Sequence, residues 1–169
     1  MVKKSAGLLV YRKKKRHSKD SHISDDNKGH IVNYEVLLVH PGGPYFAKKD
    51  IHVWSIPKGE FDDSEKALDA AKREFEEETG FSVDGEFVEL EPVRQASGKL
   101  VYAWAVEGNI DADKIESNTF KLEWPPKSGK YQDIPEVDKA GWFSIEKAKE
   151  KIINAQVLLL EELERKLNA

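Results

Sequence analysis

Three glutamates, Glu74, Glu77 and Glu78, stand at spacing i, i+3, i+4 in the run GEFDDSEKALDAAKREFEEETGF, which covers residues 59–81. At about 100° per residue they share one flank of a helix. Leu68, Ala71 and Phe75 form an adjacent apolar meridian, and Asp69, Lys72 and Glu76 fall on the opposite, solvated side. Ala67 and Ala70, below the glutamates, are small. Like charges placed this way repel by a few tenths of a kcal/mol per pair, so a helix selected for stability alone rarely holds them. A hard divalent cation such as Mg²⁺ or Mn²⁺ seeks such a cluster of carboxylate oxygens and converts the repulsion into binding. Arg73, one turn before Glu77, can pair with it and hold it in one rotamer. The plain alternative is a Glu/Lys-rich solvated face.

The elements around this stripe follow from periodicity and punctuation. The helix is expected over Ser64–Thr79, with Asp62 and Glu65 as an Asp version of the capping box and Gly80 in the left-handed cap position. Before it, Gly7–Tyr11 and Tyr34–Val39 read as strands, and Val53–Ile56 as a short strand running into the loop Pro57-Lys58-Gly59. After it come Phe87–Arg94 and Leu100–Val106 around a Ser97-Gly98-Lys99 turn. Asn118–Trp124 is another strand, closed by Pro125-Pro126, and Ala140–Phe143 is the last. Ser144 can cap a helix from Ile145 to about Ile153, and a second runs from Asn154 to Leu167. Leu159, Leu163 and Leu167 recur every four residues, a stripe that helices usually bury in their own core, with a partner surface as the other reading. This order predicts an α/β fold: a central mixed β-sheet flanked by helices. The polar stretch 12–30, with Lys13, Lys14, Lys15 and Arg16, is expected to be a solvated, mobile loop; an import-like basic cluster or an anion-capturing patch are sharper readings.

With 169 residues, the chain is expected to form one domain, 1–169. Its 31 acidic side chains nearly balance 27 basic ones, which argues against whole-surface binding to nucleic acid. The absence of cysteine excludes disulfides, thiolate zinc sites and cysteine nucleophiles. The apolar stretch after Met1-Val-Lys-Lys is too short for a signal peptide and no run approaches a membrane span, so a cytoplasmic protein, monomer or homodimer, is expected.

Gly59, Glu65, Arg73, Glu74, Phe75, Glu77, Glu78, Gly80 and Phe81 match every specified position of the Nudix box, G-x5-E-x7-R-E-U-x-E-E-x-G-U with U apolar. Average residue frequencies put a chance match at about one in ten million. The chain therefore resembles the Nudix (MutT-like) superfamily. More loosely, Gly7–Tyr11 resembles that family's first strand, Trp54 to Gly59 its approach to the box, and Glu136, before Trp142, a carboxylate preceding the final strand. The resemblance implies a Nudix-type α/β/α sandwich and a metal-dependent pyrophosphohydrolase that cleaves a phosphoanhydride bond in a nucleoside diphosphate linked to another group. It implies that Glu74, Glu77, Glu78 and the Gly59 carbonyl bind Mg²⁺ (or Mn²⁺), that Glu65 supports them and that Arg73 orients them. Glu136 would be a general base or further ligand. Lys58 is a plausible phosphate contact. Tyr45, Phe46, Tyr102 and Trp124 are candidate platforms for a base, and the stiff segment Leu122–Lys130, with Lys127, could close over a polyphosphate. A nucleoside triphosphate or dinucleoside polyphosphate is the favoured substrate. The alternatives are an RNA 5′-end pyrophosphohydrolase and a non-catalytic nucleotide-binding sensor of the same fold.

Overall fold

The computed structural model describes residues 2–14 and 32–169. Lys15, Arg16 and the rest of the expected loop up to His30 lie outside that range. Its first residues do not belong to a loop, because β1 (Lys4–Lys13) extends through Arg12 and Lys13. Ser5 to Val10 are buried on both faces of this strand, as in β2 (Tyr34–Pro41), where Val36 to His40 are buried. Strands enclosed on both sides read as continuous apolar runs.

One edge of β1 pairs in parallel with β6 (Leu100–Glu107) along its whole length. The other edge is shared. Lys4–Gly7 pair with β3 (Lys58–Phe61), whereas Tyr11–Lys13 pair with β2, both antiparallel. β2 continues to β9 (Val137–Ser144), and β6 takes the two short strands β4 (Val88–Glu89) and β5 (Val93–Arg94). The outcome is a seven-stranded mixed sheet. Because β2 and β3 divide one edge of β1 between them, they diverge and leave a cleft beside the start of β3.

The two faces of the sheet carry separate cores. Ala6, Leu8, Val10 and Leu37 pack with Ala70, Ala71 and Phe75 of α1 (Ala67–Thr79). Leu9, Val36 and Leu38 pack with Ala148 of α2 (Ile145–Lys151) and Leu159, Leu160 and Leu163 of α3 (Val157–Leu167). The leucine stripe of α3 thus lies in the chain's own core. Ser144 caps α2 as expected, accepting from Lys147 N–H at 3.2 Å. Among the described residues, no helix is long and apolar enough to cross a membrane.

Two of the strand expectations are corrected. Val53–Ile56 is not a strand: Ser55 meets Val39 and Trp54 meets Ile152 through single bridges, while Lys58 and Gly59 belong to β3 rather than to a loop. Phe87–Arg94 is broken into β4 and β5 around Pro92, a residue with no N–H for the ladder. The Leu122–Lys130 segment is part of a separate hairpin in which β7 (Thr119–Glu123) pairs with β8 (Tyr131–Pro135).

Candidate active site

Helix α1 presents the acidic stripe because the apolar flank next to it is committed to the core. Phase is set by Ala70, Ala71 and Phe75, all buried, while Asp69, Lys72 and Glu76 are exposed. Glu74 and Glu78 are consequently drawn under the sheet edge and are less than a tenth exposed, with Glu77 half-buried beside them. The helix ends as expected at Gly80, in a left-handed conformation, with its N–H bonded to Glu76. Its start differs. Ala67 is the first helical residue, Lys66 caps it without a side-chain bond, and Asp62 accepts from Ser64. Glu65 does not bond back to the helix terminus, because it is held by Arg73 through Nε and Nη2, both at 2.9 Å. A two-pronged bond to a guanidinium outcompetes a single bond to a backbone N–H.

Arg73 organises this end of the site. Its Nη1 donates to Glu74 at 2.8 Å and to both oxygens of Glu77 at 3.2 Å. These partners raise its pKa, Glu65 foremost, and Arg73 in turn holds the Glu65 carboxyl below its ordinary value. Glu74 lies against Gly59: a Cβ at that residue would sit 2.0 Å from the carboxyl carbon, so any side chain there must displace the Glu74 carboxylate. Glu78 accepts a bond from the Lys58 backbone N–H at 3.1 Å. Burial pushes the Glu78 carboxyl up to about 8, and also raises Glu74. Glu136 is raised by burial and then by the charge of Glu77. Its position is set by backbone bonds. Asn118 donates to the Glu77 carbonyl at the end of α1 and accepts from Glu136 N–H at 2.9 Å, while the Glu136 carbonyl accepts from Gly42. An acidic strand end is thereby tied to the acidic helix.

Acidic groups far apart in sequence, Glu136 and the glutamates of α1, therefore lie in one neighbourhood. Among the described residues, no three of them converge into a finished cation cage, since Arg73 holds Glu74 and Glu77 while the Lys58 backbone holds Glu78. The donor set still suits a hard cation: it is built of carboxylates, and two of them, Glu74 and Glu78, have their pKa raised by burial foremost and by neighbouring carboxylates including Glu136.

The cleft between β2 and β3 opens here into a cavity of about 280 Å³. Lys58, Glu78 and Glu136 line one end of it, and Val39, Phe46, Ile56 and Ile153 are among its apolar walls. Burial lowers the Lys58 ammonium pKa, as does the neighbouring Lys99. Among the described residues no carboxylate lies within ion-pair distance of the Lys58 ammonium.

The remaining candidates are distributed differently. Tyr45 and Trp124 meet edge to face at 5.1 Å, joining the 42–50 loop to the β7–β8 hairpin, but neither lines the cavity. Lys127 is exposed on that hairpin with φ 60°. Tyr102 packs edge to face on Phe61. Of the four aromatic candidates, only Phe46 lines the cavity. Sequence reasoning missed His52, Ser55 and Ile153, which also line it. They belong to no periodic pattern: Ser55 is placed by its bridge to Val39 of β2, and His52 and Ile153 meet where the backbone at 52–54 bonds to the end of α2, which no local signal could announce.

The NUDIX domain matches residues 15–163. Among curated proteins none matches the chain. Solved structures similar to it include a binary complex of the C. elegans Ap4A hydrolase, 24% identical with a TM-score of 0.60 over 99% of this chain and 98% of that one. A mutT/nudix family protein from Listeria innocua is 14% identical with a TM-score of 0.58, over 98% and 94% of the two chains. The NUDIX domain of Shewanella oneidensis NrtR, complexed with ADP ribose, is 14% identical with a TM-score of 0.58, over 100% and 90%. At these identities the likeness shows a common fold. With the box residues gathered at one end of an α/β/α sandwich and the domain matched over most of its length, the chain belongs to the NUDIX domain family and is a hydrolase acting on phosphorus-containing anhydrides.

Proposed function

We propose that this protein is a divalent-metal pyrophosphohydrolase of nucleotides, acting on a nucleoside triphosphate or a dinucleoside polyphosphate. The observation that carries the reading is the junction of buried carboxylates with a cavity: Glu78 and Glu136 line the same hollow as Lys58, with Glu74 and Glu77 beside them. The anhydride would lie across that junction and the rest of the nucleotide would occupy the cavity side.

In this reading Glu74, Glu77, Glu78 and the Gly59 carbonyl hold Mg²⁺ or Mn²⁺. The bound cation supplies charge neutralisation of the phosphates and lowers the pKa of water. The chain's own groups do the rest. Arg73 steers Glu74 and Glu77, and Glu65 fixes Arg73 from the other side. Lys58 presents its ammonium to the phosphoryl oxygens, where a charge free of a carboxylate partner stabilises the extra negative charge of the transition state. Glu136, whose raised pKa brings it nearer neutrality, accepts a proton from the attacking water. Tyr45 and Trp124, with Lys127, are assigned to the outer part of a long substrate, as a dinucleoside polyphosphate has a second base to place. We read the chain as one domain of a cytoplasmic enzyme.

The test is phosphate release, with added pyrophosphatase and phosphatase, from a panel of nucleotides in Mg²⁺, Mn²⁺ and EDTA. Turnover of nucleoside triphosphates or dinucleoside polyphosphates that EDTA abolishes is expected. Turnover restricted to RNA 5′ ends, or nucleotide binding with no turnover by folded, metal-loaded protein, would overturn the proposal.

A further inference from the structure

Beside the cavity, β3 borders a second, open hollow of about 560 Å³. Lys58 and Glu60 stand two apart on that strand, so their side chains share one face of the sheet. Lys58 lines the cavity and Glu60 the hollow. Around Glu60 the hollow gathers Lys3, just before β1, with Arg94 and Lys99 from either side of the turn between β5 and β6. Lys99 Nζ lies 2.8 Å from the Glu60 carboxylate and Lys3 Nζ 3.9 Å from it. Arg94 donates from Nη1 to the Gly98 carbonyl at 3.1 Å, and among the described residues no carboxylate lies within ion-pair distance of it. Three cations thus face one carboxylate, which leaves the lining with an excess of two positive charges.

Such a lining binds an anion, and its chemistry narrows which one. A guanidinium held through one N–H keeps its other donors for a bidentate contact with phosphate, and the two ammonium groups add point charges. Among the described residues no aromatic ring lines the hollow, so it offers a base nothing to stack on. Lys99 also lies near enough to the polar end of the cavity to lower the Lys58 ammonium pKa. Lys58, Lys99 and Arg94 therefore mark a positive path that leads away from the buried carboxylates. We infer that the hollow holds the phosphate groups of the substrate that lie beyond the one under attack, with Arg94 and Lys99 as the residues that bind them. The inference rests on the nucleotide reading above and adds that the site measures the length of the phosphate chain. A nucleoside monophosphate has no phosphate to place there, whereas each one added past Lys58 gains a charged contact.

The test is calorimetric binding of AMP, ATP, adenosine tetraphosphate and inorganic tripolyphosphate in Mg²⁺, in a Glu77→Gln background that slows turnover. Arg94→Gln, Lys99→Gln and Lys114→Gln are each added to it, Lys114 being an exposed lysine outside both the cavity and the hollow. Thermal unfolding verifies the fold of every variant, and hydrolysis of ATP by wild type is measured alongside. Arg94→Gln and Lys99→Gln should each weaken ATP and adenosine tetraphosphate by on the order of tenfold, the scale of one hydrogen bond to a charged group. AMP should change by less than about twofold, and Lys114→Gln should leave all four ligands within about twofold. Unchanged affinity for ATP in both hollow variants, or equal losses for AMP and ATP, would overturn the inference. Losses confined to tripolyphosphate would overturn it too, because the hollow would then serve a free polyphosphate and not the substrate's own chain. Chain-length-dependent losses without hydrolysis by wild type would remove the pyrophosphohydrolase reading and keep the hollow's role, and hydrolysis with unchanged binding would do the reverse.

Discussion

Glu78 is a buried carboxyl with one backbone hydrogen bond, and replacing it should change stability in a pH-dependent way that metal offsets. Its pKa rises from an ordinary 4.5 in the unfolded chain to about 8 in the fold. The folded protein therefore binds more protons than the unfolded chain between those values, and stability falls as pH rises through that window. About 3.5 units at 1.36 kcal/mol each, less the half-titration at the upper end, gives a loss of about 4 kcal/mol at pH 8 relative to pH 4.5. Glutamine keeps the shape and an acceptor for the Lys58 N–H but has no charge to bury. In EDTA, Glu78→Gln should match wild type near pH 4.5–5 and be about 4 kcal/mol more stable at pH 8, roughly 10 °C in the thermal midpoint. Groups with lowered pKa, such as Glu65 and Asp62, titrate below this window and cancel in the comparison. Saturating Mg²⁺ should restore wild type by a few kcal/mol, as a ligand that binds only the fold stabilises it by mass action, and should help the variant much less. Calorimetric unfolding from pH 5 to 8, with EDTA and with Mg²⁺, measures both. A difference between variant and wild type that does not change with pH would show that Glu78 ionises without penalty and refute the reasoning.

Further outcomes follow from particular contacts. Gly59→Ala puts a Cβ into the Glu74 carboxylate, so turnover should fall by at least about tenfold for a stability loss of about 1–3 kcal/mol, read by initial rates and denaturant unfolding. Arg73→Lys keeps the charge but loses the fork shared among Glu65, Glu74 and Glu77, and kcat should drop about 10–100-fold with little change in KM. Leu163→Ala empties a fully packed site under the sheet and should cost about 2–5 kcal/mol in chemical unfolding, with no change of oligomeric state by ultracentrifugation.

Much of the fold was legible because its strongest signals were also its buried ones. Helix α1 is amphipathic and ends on a glycine, β1 and β2 are continuous apolar runs, and the Ser144 cap opens α2 as read. The failures have separate causes. β8, Tyr131–Pro135, has mostly exposed residues and pairs outside the main sheet, so no alternation marks it. The capping box at Asp62 and Glu65 was plausible locally, but Arg73, two turns on, offered Glu65 a stronger partner. The acidic half of the site was readable from the helix because spacing alone places those residues on one flank. The cavity half was not: it arises where β2 and β3 part company on β1 and where the backbone at 52–54 meets the end of α2 and sets Ile153 beside His52, a juxtaposition of segments about a hundred residues apart. His40 shows the same limit. It is fully buried between Asp138 and the Lys49 carbonyl, and nothing local marks it.

The central claim is that the buried acidic flank of α1, and not its exposed neighbour, performs the chemistry. The most direct measurement compares Mg²⁺-dependent turnover of wild type, Glu77→Gln and Glu76→Gln, with folding verified by circular dichroism. Both residues are glutamates one position apart on the same helix, and both substitutions remove one charge. The account predicts a loss of at least about a thousandfold for Glu77→Gln, the scale of a group acting in the transition state, and less than about twofold for the solvent-facing Glu76→Gln. Wild-type rates from folded Glu77→Gln, or equal losses in the two variants, would contradict it.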